Sequence, residues 1–297
     1  MDVSIIIVNY NTYVLTSNCI QSIIDKTIDI TYEIIVVDNS STDNSNEWFE
    51  KDNLPFTLIK NNKNIGFGGA CNIGLDCANG KYSFFLNSDT ILVNNAIKIF
   101  YDFCENSGNI YEFSYGVIGS ILLDQNGSVN QSFDTFLSPK RALWDLLYPY
   151  LCYLKLIKTK CYPIVLFEKD FYPVDYVIGA DMFINTELAR KYNGLDSKFF
   201  MYYEETDFQY RLHLDGYFSY IINGPKIIHL EGQSGQKNSR LKQFLLEESV
   251  FKYLRKHYTP SLVYFVKFIY IMSYIVKLLN IRNLKRNFGY LVESFSY

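Results

Sequence analysis

Histidine is scarce. There are three in 297 residues and no HxxxH pair, which argues against a zinc site. The six cysteines (Cys19, Cys71, Cys77, Cys104, Cys152 and Cys161) form no CxxC pair, and their scatter reads as a reduced, cytosolic chain. GxxxxGK[ST] is absent, so a P-loop is excluded. The glycine-rich stretch beginning at Gly66 carries Cys71 where the dinucleotide fingerprint needs its third glycine. The N-terminus, MDVSIIIVNYN, has an Asp at position 2 and no basic segment, so it reads as a strand and not a signal peptide. Internal repeats and low-complexity linkers are missing too.

Apolar residues, by contrast, make up 48% of the chain and aromatic ones 17%, with 26 Tyr and 23 Phe. That is enough for one large α/β domain, or a domain with an appendage. Ring surface at this density suits a core and also suits contact with sugar or lipid. The net charge of −3 is unevenly spread. Residues 240–297 hold ten Lys/Arg and three Glu, a net of +7, which leaves −10 for residues 1–239. A basic, aromatic tail on an acidic body suits an anionic surface.

Nearly continuous apolar runs at 3–9 (VSIIIVN), 32–41 and 82–90 read as buried parallel strands. Helical stretches lie between them, at about 13–25 and in the FGGACNIGLDCA segment. The alternation predicts a mostly parallel sheet with helices on its faces. Further on, a helix at about 95–106 precedes the strand YGVIGSILL. Residues 133–172 read as a long excursion over the site, and 175–185, YFSYII and KIIH as later strands. The first three strands end in polar residues: Asn9-Tyr10-Asn11, Asp38-Asn39-Ser40 and Asn87-Ser88-Asp89. Ligands of open α/β sheets bind at the carboxyl ends of strands, so three polar ends point to one site.

Several residues there carry two readings. Asp89 suits a divalent cation beside a diphosphate, or a cap on the following helix. The N–H groups of the glycine-rich helix entry, 63–75, are suited to an anion. Asp38 fits the N–H of a uracil or thymine ring, or an Asx turn into SSTDNS. His229 is a turn or core histidine unless its strand delivers it beside Asp89. The segment KFFMYYEETDFQYRLHLDGY (198–217) places Glu204, Glu205 and Asp207 among rings. As a helix over 203–214, it puts Glu204 and Asp207 on one face and Glu205 about 100° away. Acids at a helix start favour the dipole, and Asp207 with Arg211 makes an ordinary i, i+4 pair. An apolar wall, however, raises a carboxylate's pKa and suits a general base acting on a hydroxyl.

The ordered motifs VSIIIVNYN, IIVVDNSSTDNS, NKNIGFGGACNIGL, FLNSDT, VIGADMFIN and GLDSKFFMYYEETDFQYRLHLDGY…KIIHLEGQS span residues 3 to about 236. Together they resemble family 2 glycosyltransferases of the GT-A fold, in particular bacterial rhamnosyltransferases and galactofuranosyltransferases of surface-polysaccharide assembly. The resemblance implies that Val8, Asn9 and Tyr10 line the nucleobase and ribose. Asp38 then binds the base, and Asn64, Gly66, Phe67 and Asn72 border the nucleotide-sugar. Asn87-Ser88-Asp89 stands in place of a DXD motif, with Asp89 as a ligand of Mg²⁺ or Mn²⁺ and His229 as another. Glu205 occupies the catalytic-base position, with Glu204 and Asp207 orienting acceptor or sugar, and Gly179, Ala180 and Asp181 face the acceptor. Two departures stand out: the first acid of the DXD motif is Asn87, and the base is Glu where many relatives carry Asp.

The implied reaction is an inverting transfer from a dTDP- or UDP-sugar to a hydroxyl of a glycan or a polyprenyl-diphosphate-linked acceptor. L-Rhamnose is the first choice, with galactofuranose, galactose and N-acetylglucosamine as alternatives, and nucleic acid has no part. A sugar-nucleotidyltransferase would need a glycine-rich basic loop after the first strand, where this chain has NYNTYVL. A non-catalytic sugar-nucleotide binder is disfavoured by the joint presence of Asp89, Glu205 and His229. The division expected is a transferase domain over 1–239 and a helical extension over 240–297. In that extension Lys267 and Lys277 interrupt the run of about 20 apolar residues a membrane span requires. Residues 261–286 therefore read as an interfacial helix, with Arg282, Lys285 and Arg286 near anionic headgroups, or as a helix packed on the domain or a second subunit. The location expected is the cytoplasmic face of the cell membrane, peripherally bound.

Overall fold

The three N-terminal apolar runs form the parallel half of a sheet. The computed structural model describes residues 1–107, 114–153, 170–230 and 239–278. Strand β1 (Val3–Asn9) lies between β2 (Tyr32–Asp38) and β4 (Tyr82–Asn87), all parallel, and β3 (Thr57–Lys60) extends this half beyond β2. The crossovers are α1 (Tyr13–Lys26), α2 (Ser45–Lys51) and α3 (Phe67–Cys77).

Beyond β4 the sheet becomes mixed, where the sequence predicted a mostly parallel one. β5 (Thr90–Leu92) and α4 (Ala96–Ser107) lead to β6 (Tyr115–Leu123). The short β7 (Phe133–Asp134) precedes α5 (Pro139–Tyr153), β8 (Phe171–Val174), β9 (Tyr176–Val177) and β10 (Asp181–Asn185). β10 runs antiparallel to both β4 and β6. After α6 (Thr186–Lys191) and α7 (Glu204–Leu214), β11 (Phe218–His229) lies parallel to β6 and antiparallel to β5 and β8. The order is β3-β2-β1-β4-β10-β6-β11-β5, and β7 and β9 form a separate ribbon. YFSYII and KIIH, two runs in the sequence, are one strand with a register shift between Ile222 and Ile227. Gly224 and Pro225 sit in that shift, where Pro cannot donate to the ladder.

Strand alternation divides the core between the two faces of the sheet. Ile5 and Ile7 pack with Cys19, Ile20 and Ile23 of α1 and with Ile97 and Phe100 of α4. Ile6 packs on the other face with Ala70, Cys71 and Leu75 of α3 and Phe208 and Leu212 of α7. Fully buried strands take apolar residues at successive positions, which is why their sequence shows runs and no alternation.

The chain falls into two units. One comprises Met1–Phe136 with Leu166–Lys237 and carries the sheet; the other comprises Leu137–Val165 with Asn238–Tyr297. The second contains α5, α8 (Ser239–His257) and α9 (Pro260–Leu278), so Pro139–Tyr153 of the expected excursion groups with the C-terminal helices. Inside this unit the rings of Phe251 and Tyr270 meet edge to face at 5.3 Å, and the Tyr258 hydroxyl donates to the Leu137 carbonyl at 3.0 Å. Residues 154–169, a stretch of the excursion that includes Cys161, lie outside the described residues, as do residues 231–238 and 279–297, with Arg282, Lys285 and Arg286.

Asn72 joins α3 to the turn that precedes α7. Its Nδ2 donates to the Leu195 carbonyl at 2.6 Å, and its Oδ1 accepts from the Leu195 N–H at 2.9 Å. Asn72→Ala removes both bonds and leaves two partly buried backbone groups, so unfolding free energy from urea melts should fall by about 1–3 kcal/mol.

Candidate active site at the strand ends

The pairing register sets side by side the residues that the sequence isolates. Asn9 is opposite Asp38, Val8 opposite Asn87 and Leu86 opposite Asp181. The carboxyl ends of β2, β1 and β4 therefore share an edge, and the antiparallel β10 begins at that same edge with Asp181. The far end of β11 pairs His229 with Thr90, one residue beyond Asp89.

Asn9 organises one side. Its side chain is fully buried, and Nδ2 donates to Asp38 Oδ1 at 2.6 Å and Ser41 Oγ at 2.9 Å. Its Oδ1 accepts from the hydroxyls of Thr12 and Thr16 at 3.0 and 2.9 Å. Ser41 returns its N–H and hydroxyl to Asp38, at 3.0 and 2.5 Å, so the Asx turn is formed and Asp38 is buried within it. Tyr10 is exposed beside this network and Val8 is partly exposed. Thr12, Thr16 and Ser41 were not singled out from the sequence. Hydroxyl residues after a strand are too common to signal a network by themselves.

Asn39 ties this end to the glycine-rich entry of α3. Its Nδ2 donates to Asn64 Oδ1 at 2.9 Å and to the Gly66 carbonyl at 3.1 Å. Gly66 has φ of +83°, and a Cβ there would overlap the Phe200 carbonyl oxygen. The Gly66 N–H donates to Asn64 Oδ1 and the Phe67 N–H to the Phe200 carbonyl, at 2.9 and 3.0 Å. These two N–H groups are thus engaged within the protein, contrary to the expectation that the loop's N–H groups face an anion. At Gly66, glycine answers a close backbone approach. Asn72 commits its amide to Leu195, as described above.

At the centre, His229 Nε2 lies 3.3 Å from Asp89 Oδ1 and 3.5 Å from Asn87 Nδ2. Asp89 is 1% exposed and His229 8%. The Leu230 N–H donates to the Asp89 carbonyl at 2.9 Å, which fixes the β11 end against this turn. Ser88 Oγ is 3.3 Å from Thr12 Oγ1. Asp181 is fully buried, and its Oδ2 accepts from the Ser120 N–H and hydroxyl at 2.8 and 2.6 Å. Its Oδ1 is buried without a hydrogen-bond partner, as is His229 Nδ1, among the described residues. Burial pushes the Asp181 carboxyl up to about 7, against the Ser120 hydrogen bonds and nearby His229, which pull it down. Among the described residues no group of three His, Cys, Asp or Glu side chains is disposed to hold a metal ion; Asp89 and His229 stand here as a pair.

The three acids of α7 part company. Asp207, fully buried, is paired with Arg211 at 2.9 Å, and the same guanidinium donates to the carbonyls of Tyr192 and Gly194 at 2.5 and 2.6 Å. Glu205 instead packs against Gly179: a Cβ there would meet Glu205 Cβ and Cγ and Phe67 Cε1, each at 3.8 Å. The neighbouring Ala180 carbonyl accepts from the Asn87 N–H at 3.0 Å, which links Glu205's surroundings to the end of β4. Glu204 lies under α3, its side chain 3.3 Å from where a Gly68 Cβ would stand. Burial raises both glutamates above the ordinary carboxylate range, Glu204 well above it with the charge of Glu205 adding to the effect. Side by side and buried, the two carboxyls titrate as a pair that carries one charge more readily than two. Each has an Oε2 that is buried without a hydrogen-bond partner among the described residues.

Tyr202 and Tyr203, just before the helix, both have left-handed backbone, φ +69° and +68°. Such conformations cost of order 1–3 kcal/mol each and cluster at functional sites. Gln209, also missed in the sequence, anchors the helix. Its amide exchanges bonds with the Val177 backbone at 2.8 and 2.7 Å, and its Nε2 reaches the Glu205 carbonyl at 3.2 Å.

Comparison with known proteins agrees with this architecture. The chain is 28% identical over 215 residues to the low-salt glycan biosynthesis hexosyltransferase Agl10 of Haloferax volcanii, an alignment covering 71% of this chain and 61% of Agl10. It is 29% identical over 175 residues to the UDP-Glc:alpha-D-GlcNAc-diphosphoundecaprenol beta-1,3-glucosyltransferase WfaP of Escherichia coli, covering 48% of this chain and 68% of WfaP. The crystal structure of GalNAc-T7 with UDP, GalNAc and Mn2+ superposes with a TM-score of 0.58 at 14% identity, covering 86% of this chain and 48% of that one, a likeness of fold. The chain thus spans less than two thirds of the length of Agl10. Residues 4–143 match the family model for Glycosyl transferase family 2. Residues 4–143 are thus similar to family 2 glycosyltransferases, and the mixed sheet with its flanking helices has the GT-A fold.

Proposed function

We propose that this chain transfers a hexosyl group from a nucleoside diphosphate sugar to a hydroxyl of a glycan or lipid-linked acceptor, with inversion at the anomeric carbon. The observation that carries the reading is the approach of Asp89 and His229 at the strand-end edge where Glu205 lines Gly179. Val8, Asn9, Tyr10, Asp38, Asn64, Gly66 and Phe67 surround the nucleotide in this reading. Glu205 accepts the proton of the acceptor hydroxyl, whose oxygen forms the new bond to the anomeric carbon as the bond to the diphosphate breaks. Glu204, protonated, orients a sugar or acceptor oxygen beside it, and Gly179 leaves room for the acceptor. The one carboxylate and one imidazole at the turn fit a divalent cation such as Mg²⁺ or Mn²⁺, which when bound would neutralise the leaving nucleoside diphosphate. GalNAc-T7, of like fold, was crystallised with UDP and Mn²⁺, and WfaP acts on a diphosphoundecaprenol-linked acceptor by its name, which supports these choices.

The test is a panel of dTDP-rhamnose, UDP-galactofuranose, UDP-galactose and UDP-N-acetylglucosamine, scored for metal-dependent thermal stabilisation. A donor at 100 times its Kd adds about 2.7 kcal/mol of stability. Asp89→Asn and His229→Ala should abolish the metal-dependent part. Should no donor stabilise the wild type, the transferase reading fails. With the donor found, Glu205→Gln should lower turnover at least ~100-fold while the donor still binds. Because the base must be ionised, wild-type kcat/KM should rise with pH along an acidic limb lying above the ordinary glutamate value; a limb at that ordinary value would remove Glu205 from the role.

The C-terminal unit is proposed to rest peripherally on an anionic membrane surface. No helix among the described residues is long and apolar enough to cross a membrane. Along α9, Val263 and Val266 are buried while Tyr264, Phe265 and Phe268 are 71%, 51% and 57% exposed. An exposed aromatic stripe on a segment of net +7 suits a lipid interface. Wild type should sediment with phosphatidylglycerol vesicles, and Phe265→Ser/Phe268→Ser should stay in the supernatant. Equal sedimentation of both proteins would refute the contact.

A further inference from the structure

We infer that the groove between α1 and α2 is a saccharide-binding site, separate from the strand-end edge. The groove holds a cavity of about 570 Å³, within the ~300–1,000 Å³ typical of small-molecule sites. Tyr13, Val14, Trp48, Asp52, Asn53 and Leu54 line it.

A sugar ring needs a flat apolar surface for its C–H face and fixed polar groups for its hydroxyls, and this groove has both. The rings of Tyr13 and Trp48 lie 5.1 Å apart, inclined at 53°. Tyr13 is braced from behind by Phe49, at 4.9 Å and nearly edge to face. Phe49 is core, yet Trp48 beside it is 41% exposed and Val14 across the groove 64% exposed. Trp48 and Val14 thus present apolar surface at the mouth of the groove.

The polar half is already ordered. Asp52 Oδ2 accepts from the Tyr13 hydroxyl at 3.1 Å and from Ser17 Oγ at 3.3 Å. A carboxylate held in this way loses little freedom when it accepts a ligand hydroxyl. Asn53 and Lys51 are exposed at the rim and add an amide and an ammonium. One carboxylate and one ammonium leave the groove near neutral, which suits a neutral sugar better than a phosphate. The buried-side carboxylate disfavours a hydrocarbon chain. The cavity begins one residue after Thr12, whose hydroxyl is 3.3 Å from Ser88 Oγ, so it adjoins the strand-end edge without using Asp89, His229 or Glu205. The inference does not rest on the transferase reading, because binding here requires no donor and no turnover.

The chain has two tryptophans, Trp48 and Trp144, which makes the site directly observable. Methyl glycosides of glucose, galactose, N-acetylglucosamine and rhamnose, and disaccharides built from them, are titrated at millimolar concentrations with tryptophan emission as the readout, and calorimetry repeats each titration. At least one should give a saturable change, retained in Trp144→Phe. Asp52→Ala, which keeps both tryptophans, should raise Kd about tenfold or more, a loss of ~1.4 kcal/mol, while it remains folded by circular dichroism. Trp48→Ala should lose the calorimetric signal, while Asp89→Asn should bind as wild type does. The inference is overturned if no glycoside gives a saturable signal, if folded Asp52→Ala binds as wild type does, or if Asp89→Asn abolishes binding, which would assign the sugar to the strand-end edge. Saturable binding of decanol with none of any glycoside would equally overturn it.

Discussion

A fully buried primary amide at a strand end must have its donors and acceptor satisfied, and Asn9 meets that demand with four side chains from two segments. Asp38 and Ser41 come from the end of β2, and Thr12 and Thr16 from the start of α1. The orientation of Asp38, the turn after β2 and the entry angle of α1 are thereby coupled. Asn39 then carries the coupling to Asn64 and Gly66. The strand-end edge is held by polar bonds that only the folded pairing can form, so its geometry exists before any ligand arrives.

The acids of α7 illustrate how position separates similar groups. Asp207 and Glu205 are two residues apart and belong to different environments. Asp207 is neutralised by a guanidinium that is itself tied to two carbonyls, an arrangement that holds the helix to the Tyr192–Gly194 turn. Glu205 has no cation beside it among the contacts described, and burial raises its proton affinity. Glu204 is deeper still, so the pair carries one charge more readily than two. Gln209 and the paired left-handed tyrosines hold these glutamates against the Val177–Gly179 turn.

The glycines of the α3 entry have a packing cause. At Gly66 the Phe200 backbone approaches too closely for a Cβ, and at Gly68 the side chains of Leu195 and Glu204 lie within 3.3 Å of where one would stand. A glycine-rich helix start therefore brings α3 down onto the segment that carries the acids, whether or not an anion binds.

The N-terminal strands, the helix of the acids and the fold class were legible in the sequence because their causes are local. Buried parallel strands demand unbroken apolar runs, and a helix preceded by rings and acids has its own period. The polar ends of those strands could be named for the same reason. Other features depended on residues far apart in the chain. The antiparallel insertion of β10, which brings Asp181 to Ser120, leaves no mark in either segment. The 3.3 Å approach of His229 to Asp89 joins positions 140 residues apart. The commitment of Asn72 to Leu195 and the groove of Tyr13, Trp48 and Asp52 also arise only on packing. Hydrogen bonding and burial of side chains are properties of neighbours, and neighbours at such separations are set by tertiary structure alone.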